Sequence, residues 1–264
     1  MEKNHAVYNS EDVVSWYKKL SEIIPIEKNI FEKHKALLGS GDVLDIGIGG
    51  GRTTAYLLKL CKSYTGIDYS ENFIKAVKKN HPSALCMVMD ARDLSAFKTA
   101  SFDVVNFSFN GIDYVNYEGR KKIFSEIHRV VKPNGLFFFS THNRNHVSFR
   151  LPPWLNKNDS VFTRFKTFVK LIPYFIKNLN QKKEEEIYED YAIINDTAHN
   201  YSLMTFYSSP TFLRQQLSEH EFIDIDFYDK AGEKKGDDVL EDWIFATAKK
   251  SALNHLVKSI DQQE

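Results

Sequence analysis

Val43-Leu44-Asp45-Ile46-Gly47-Ile48-Gly49-Gly50-Gly51, followed by Arg52-Thr53-Thr54, carries an apolar run into a glycine-rich turn and then into a helical pattern. Glycine lacks a Cβ and tolerates positive φ, so such a turn lets backbone amides pass close to a ligand at a helix start. Alone, the stretch reads either as the phosphate-binding turn of a dinucleotide enzyme or as a tight structural turn. What surrounds it decides between them.

Downstream, short β-rich runs alternate with helical patterns. Strands are expected at 43–46, 64–67, 84–89, 102–107 and 136–140, with helices near 53–61, 71–80 and 120–131. That alternation implies right-handed βαβ units and a mostly parallel sheet covered on both faces. Ser70 is placed to cap the helix at Glu71, and Lys132-Pro133-Asn134-Gly135 to end a helix and turn into the next strand. Upstream, 11–20 and 26–38 read as amphipathic helices that either cover a ligand or pack on the sheet edge. A long stretch, 144–207, separates the fifth strand from a helix opened by Ser209-Pro210, and strands at 222–228 and 242–249 follow.

Three more features sit where a doubly wound sheet binds ligands. The second strand ends in Gly66-Ile67-Asp68, a carboxylate able to accept hydrogen bonds from both hydroxyls of a ribose. The third ends in Met89-Asp90-Ala91-Arg92-Asp93, and the fourth runs into Ser108-Phe109-Asn110-Gly111. These edges face one crevice. A nicotinamide fingerprint would need a third glycine where this chain has Arg52.

Together these residues resemble the class I S-adenosylmethionine-dependent methyltransferases, over about 40–142 and the two closing strands. The resemblance implies an α/β fold with a doubly wound, seven-stranded, mostly parallel sheet of order 3-2-1-4-5-7-6, strand seven antiparallel, and a helical and hairpin insertion after strand five. It divides the chain into N-terminal helices at 1–40 covering the cofactor, a core of 41–143 and 208–250, an acceptor-site insertion or lid at 144–207, and a helix or tail at 251–264. It implies that Asp45, Gly47, Gly49 and Gly51 lie under the methionine part of S-adenosyl-L-methionine. Asp68 would bind the ribose and Tyr69 flank the adenine, while Asp90 and Ala91 read the adenine edge. Ser108, Phe109 and Asn110 would line the methyl donor's pocket, and the product would be S-adenosyl-L-homocysteine. The passage Glu126 to Gly135 resembles the family's as well, with Asn134 in place of a glycine; asparagine tolerates the left-handed turn required.

Composition sets the outer limits. The 264 residues, 42% hydrophobic, suffice for a packed α/β core. Lysine plus arginine equals aspartate plus glutamate at 35 each, so no global field recruits nucleic acid. Cys61 and Cys86 show no paired or metal-ligand spacing, and no metal site is expected. The polar start and the lack of any membrane-spanning apolar run point to a cytoplasmic enzyme, monomeric or homodimeric.

Methyl transfer from a sulfonium is an in-line displacement, helped by a base where an alcohol or ammonium must lose a proton. His142 ends the fifth strand at the cofactor edge and reads either as that base or as a residue bonding the loop. The insertion carries an amphipathic helix near 162–177 with Arg164, Lys166, Lys170 and Lys177, packed on the domain or lying on a membrane surface as a peripheral contact. Two strands, 188–194 and 201–207, form an aromatic hairpin able to close over a small molecule. The expected function is O- or N-methylation of a small polar, sugar-like or natural-product acceptor. The alternatives are a tRNA or rRNA methyltransferase using the basic helix, and a cofactor-binding partner without chemistry.

Overall fold

A strand buried on both faces sends apolar side chains alternately into two layers. In the computed structural model, which describes residues 6–20 and 22–252, β1 (Asp42–Ile46) puts Val43 into one core layer and Leu44 and Ile46 into the other. It lies parallel between β2 (Ser63–Asp68) and β4 (Phe102–Phe107). β3 (Leu85–Val88) flanks β2, and β5 (Val131–Asn143) flanks β4. β10 (Trp243–Lys250) runs antiparallel beside β5, and β9 (Phe222–Tyr228) closes that edge. The seven core strands therefore take the expected order, β3-β2-β1-β4-β5-β10-β9.

Helices cover both layers. Phe137 and Phe139 of β5, stacked at 4.5 Å, pack with Phe124 and Ile127 of α6 (Tyr117–Val130) and Leu213 and Leu217 of α8 (Pro210–Glu219). Phe138 points to the opposite layer against Phe31 of α2 (Pro25–Lys33), where α4 (Arg52–Leu57) and α5 (Glu71–Asn80) also pack. Burying each such ring contributes about 1.5–3 kcal/mol. Ser70 caps α5, accepting from the Phe73 amide.

Local departures from the expected pattern have backbone causes. The helix expected over 26–38 divides into α2 and α3 (Lys35–Ser40), because His34 at φ −105°, ψ 20° leaves the helical region. Lys132-Pro133-Asn134-Gly135 does not separate α6 from β5 by a turn. It forms an irregularity inside β5, where the pairing jumps from Phe102↔Val131 to Val104↔Leu136 and Asn134 takes φ 61°.

The insertion does more than cap the sheet. β6 (Glu186–Ile187), β7 (Tyr191–Asn195) and β8 (Met204–Ser208) pair antiparallel, and β8 joins β5 in parallel through His142↔Tyr207 and Asn143↔Ser208. The seven expected strands become a ten-stranded sheet. Before the hairpin, α7 (Val161–Lys177) packs on the turns Pro153–Leu155 and Leu179–Glu184. α1 (Glu11–Lys18) lies over the glycine turn, its Tyr17 carbonyl against Gly50. The helix or tail expected at 251–264 falls, beyond Ala252, outside the described residues, as do residues 1–5 of the expected 1–40 segment.

Candidate functional site

Asp68 ends β2 and is almost fully buried. Its Oδ2 accepts the Gly49 amide at 3.0 Å and its Oδ1 the Ser70 amide at 2.8 Å. Burial raises its pKa to about 6 against the lowering effect of those two bonds. An ionised carboxylate accepts about four hydrogen bonds, so capacity for two hydroxyl donors remains. Gly47, at φ 66°, comes so near Phe107 that a Cβ there would lie 2.9 Å from the ring.

These groups open on one crevice. Of the residues expected to bind a cofactor, Gly47, Gly49, Asp68, Tyr69, Ala91, Ser108 and Phe109 line it. Tyr8, Tyr17, Phe73 and Tyr114 complete the wall. A glycine floor, a hydroxyl-accepting carboxylate and aromatic and methionine walls fit S-adenosylmethionine, whose ribose needs acceptors and whose adenine needs flat apolar surface.

Four expected contacts are turned elsewhere. Asp45 is buried behind the turn, accepting from Thr53 Oγ1 (2.7 Å), Tyr64 Oη (2.9 Å) and Asn106 Nδ2 (2.6 Å); burial raises its pKa to about 6 despite those bonds. It braces the loop and leaves the crevice wall to its neighbours. Gly51 serves as the N-cap of α4 at φ 88°. Asp90 holds Arg92 through its backbone N–H (2.9 Å) and Nε (2.8 Å), leaving the adjacent Ala91 in the wall. Asn110, also left-handed at φ 58°, donates its amide to Ser140 Oγ at 2.9 Å, and its buried Oδ1 has no hydrogen-bond partner among the described residues.

Asn110 leads to His142. Its Nδ2 lies 3.2 Å from His142 Nε2, while His142 Nδ1 lies 2.7 Å from Asp113 Oδ2, which also accepts the His142 backbone N–H at 2.8 Å. With Nδ1–H donating to Asp113, Nε2 is the acceptor nitrogen. Asp113 is buried completely, its Oδ1 receiving Arg120 Nη1 (2.7 Å) and Thr141 Oγ1 (2.5 Å). Arg120 is equally buried, with further bonds to Gln216, Thr141 and Ser208. Burial drives the imidazole pKa down, but the Asp113 hydrogen bond and charge overcome this and leave it above its ordinary value. Cross-strand pairing sets Tyr207 on one side of His142 and Trp243 on the other, their rings 5.0 and 6.1 Å away, and Phe109 meets Trp243 at 5.1 Å.

Several participants lay beyond the reach of sequence reading. Arg52, noticed only as the residue that breaks a nicotinamide fingerprint, is bidentate to the buried Glu27 of α2, with Nη2–Oε1 at 2.8 Å, and lies 4.9 Å over the Phe109 ring. Nothing in the sequence around Asp113 marks it as the partner of His142. Among the described residues no group of three or more His, Cys, Asp or Glu is placed to hold a metal ion.

Comparison with known proteins agrees with this geometry. Residues 44–139 match the family described as methyltransferase domain. The ubiquinone biosynthesis O-methyltransferase of Pseudomonas aeruginosa (strain LESB58) is 34% identical over 143 residues, 52% of this chain and 60% of that protein. The protein of the same name from Thiobacillus denitrificans is 31% identical over 144 residues, 53% of this chain and 60% of its own length. The chain thus spans about three fifths of the length of the curated relatives it matches. Among solved structures, a S-adenosylmethionine-dependent methyltransferase from Clostridium acetobutylicum superposes with a TM-score of 0.57 at 15% identity, over 89% of this chain and 92% of that one. The Burkholderia thailandensis 1,6-didemethyltoxoflavin-N1-methyltransferase, solved with its substrate and S-adenosylhomocysteine, gives 0.53 at 15% identity over 95% and 90%. Residues 44–139 thus match a methyltransferase domain, and the strand order and the crevice agree with that match.

Proposed function

We propose that the protein transfers a methyl group to a hydroxyl of a small, aromatic-containing acceptor, with His142 as the general base. One observation carries the reading: an imidazole whose Nδ1 is fixed on a buried carboxylate, in a row of aromatic rings that begins at the crevice wall with Phe109. The names of the curated relatives, O-methyltransferases of ubiquinone biosynthesis, support oxygen as the acceptor atom.

Bound in the crevice, the cofactor would supply an electrophilic methyl on sulfonium. The chain supplies position and proton management. Asp68 would hold the ribose and the Gly47 and Gly49 backbone would lie under the methionine part, while Tyr207 and Trp243 would flank an acceptor ring beside His142. The acceptor hydroxyl takes the place of the Asn110 Nδ2 donor at His142 Nε2, its proton passes to Nε2 as oxygen attacks, and Asp113 stabilises the imidazolium that forms. Arg120 Nη1 bonds Asp113 Oδ1, which leaves Oδ2 to face His142 Nδ1 and fixes that nitrogen as the donor.

The test uses methyl-labelled S-adenosylmethionine with a panel of catechols and phenols, 3,4-dihydroxybenzoate first. Label should enter an acceptor, and His142→Ala should lower kcat by about 10²–10⁴-fold with S-adenosylhomocysteine binding unchanged. Unaltered turnover in that variant removes His142 as base, and failure of wild type to bind either cofactor form in calorimetry sinks the whole reading.

A further inference from the structure

α7 is a 17-residue helix with no buried residue. At 100° per residue, Val161, Phe162, Phe165, Val169, Ile172 and Ile176 share about 100° of arc. All of these except the half-buried Ile172 are 53–80% exposed. The opposite side carries what holds the helix to the protein: Phe175 meets Tyr201 at 5.2 Å and Trp154 at 6.0 Å, and Arg164 donates to the Trp154 carbonyl at 3.0 Å. Its outward stripe is apolar where an ordinary surface helix is polar.

Charge identifies what covers that stripe. Lys166, Lys170 and Lys177 follow one another along its border, at 140–180° on the same wheel by that spacing of about 100° per residue. From Val161 to Lys183 there are six basic residues and no acid, in a chain whose total charge is zero. A second protein copy with the same face would set these lysines against each other. A negatively charged bilayer takes both components at once, phenylalanine and branched side chains entering the acyl boundary and lysines pairing with headgroups. No described helix is long and apolar enough to span a membrane, so the contact is interfacial.

We propose that α7 is a membrane-surface helix that docks the protein on anionic bilayers through Val161, Phe162, Phe165, Val169 and Ile176, with Lys166, Lys170 and Lys177 as the electrostatic partners. This does not depend on the acceptor proposed above.

The full-length protein is sedimented with vesicles of phosphatidylcholine alone and with about one third phosphatidylglycerol. Wild type should pellet with the anionic vesicles, release as salt rises, and stay in solution with neutral ones. Each lysine contributes about fivefold, so Lys166→Gln/Lys170→Gln/Lys177→Gln should raise the lipid concentration for half-binding on the order of a hundredfold. Phe162→Ser/Phe165→Ser should raise it at least tenfold while the three lysines remain. S-adenosylhomocysteine affinity, unchanged in both variants, shows that the fold is intact. No binding to anionic vesicles overturns the proposal, as does binding that survives both variants. So does a stripe-dependent dimer in sedimentation velocity, or lysine-dependent tRNA binding, without vesicle binding.

Discussion

Two buried carboxylates end in opposite situations. Asp68 has amide donors but no cation, and its pKa rises to about 6; its charged form is therefore lost as pH falls through that value. Cofactor hydroxyls bind the ionised form more strongly, so S-adenosylhomocysteine affinity measured by calorimetry should be level from pH 8 to 7 and weaken below about 6. Asp68→Asn should bind at least tenfold more weakly at pH 7 and show none of that decline; a parallel decline in the variant would assign it to another group. Asp113 has its cation, Arg120, in a site where neither is exposed. Removing one member of such a pair leaves a buried charge unopposed, so Asp113→Ala should lower urea-measured stability by about 3–5 kcal/mol. Asp113→Ala/Arg120→Met should recover much of that loss, since an apolar pair of similar volume avoids the stranded charge. Stability restored without activity would separate Asp113's hold on His142 from its contribution to folding.

At the level of elements, one side-chain amide ties the loop of the hairpin β7–β8. Asn195 Nδ2 donates to the carbonyls of Tyr201 and Leu203, both at 2.9 Å, and so ties the ends of the loop that carries Asp196 and His199. Asn195→Ala leaves the Leu203 carbonyl without that donor and the Tyr201 carbonyl with only Gln181 Nε2, and exchange protection of amides at 196–203 should fall by about 1–3 kcal/mol while β1 and β4 keep theirs. Equal loss across the sheet would mean that the hairpin unfolds only with the core. The same elements show what a sequence discloses. β1, β2 and β4 were legible because burial on both faces writes itself as apolar runs, and their ends because glycine and aspartate mark a ligand edge. The joining of β8 to β5 was not, since edge pairing runs through backbone groups that every residue carries. Nor were Asp113–His142 and Glu27–Arg52, brought together from 29 and 25 residues apart by packing alone. Asp90 was legible by position, while its capture by Arg92 two residues on was not.

Across the whole molecule, the N-terminal segment and the insertion meet over the crevice. His199 of the hairpin loop lies 4.8 Å from Tyr8 and 6.0 Å from Tyr17, and Tyr8, Tyr17 and Tyr114 are themselves part of the crevice wall. We propose that these rings part for a cofactor to enter or leave, so that their separation gates entry and release. His199 is held below its ordinary value of 6.5 by burial, with Asp196 opposing. A depressed imidazole binds its proton more tightly when the cap opens than when it is closed. Closure is therefore fully favoured above about 6.5 and is lost as pH falls toward the lower value of the closed form. Stopped-flow release of S-adenosylhomocysteine should accelerate several-fold between pH 7.5 and 5.5. Because Asp68 titrates in the same window, the measurement belongs in the Asp68→Asn background, where the acceleration should persist. His199→Phe in that background keeps a ring between Tyr8 and Tyr17 and removes the proton, so release should stay slow at pH 5.5. Acid acceleration undiminished in that variant would mean that the gate opens without His199.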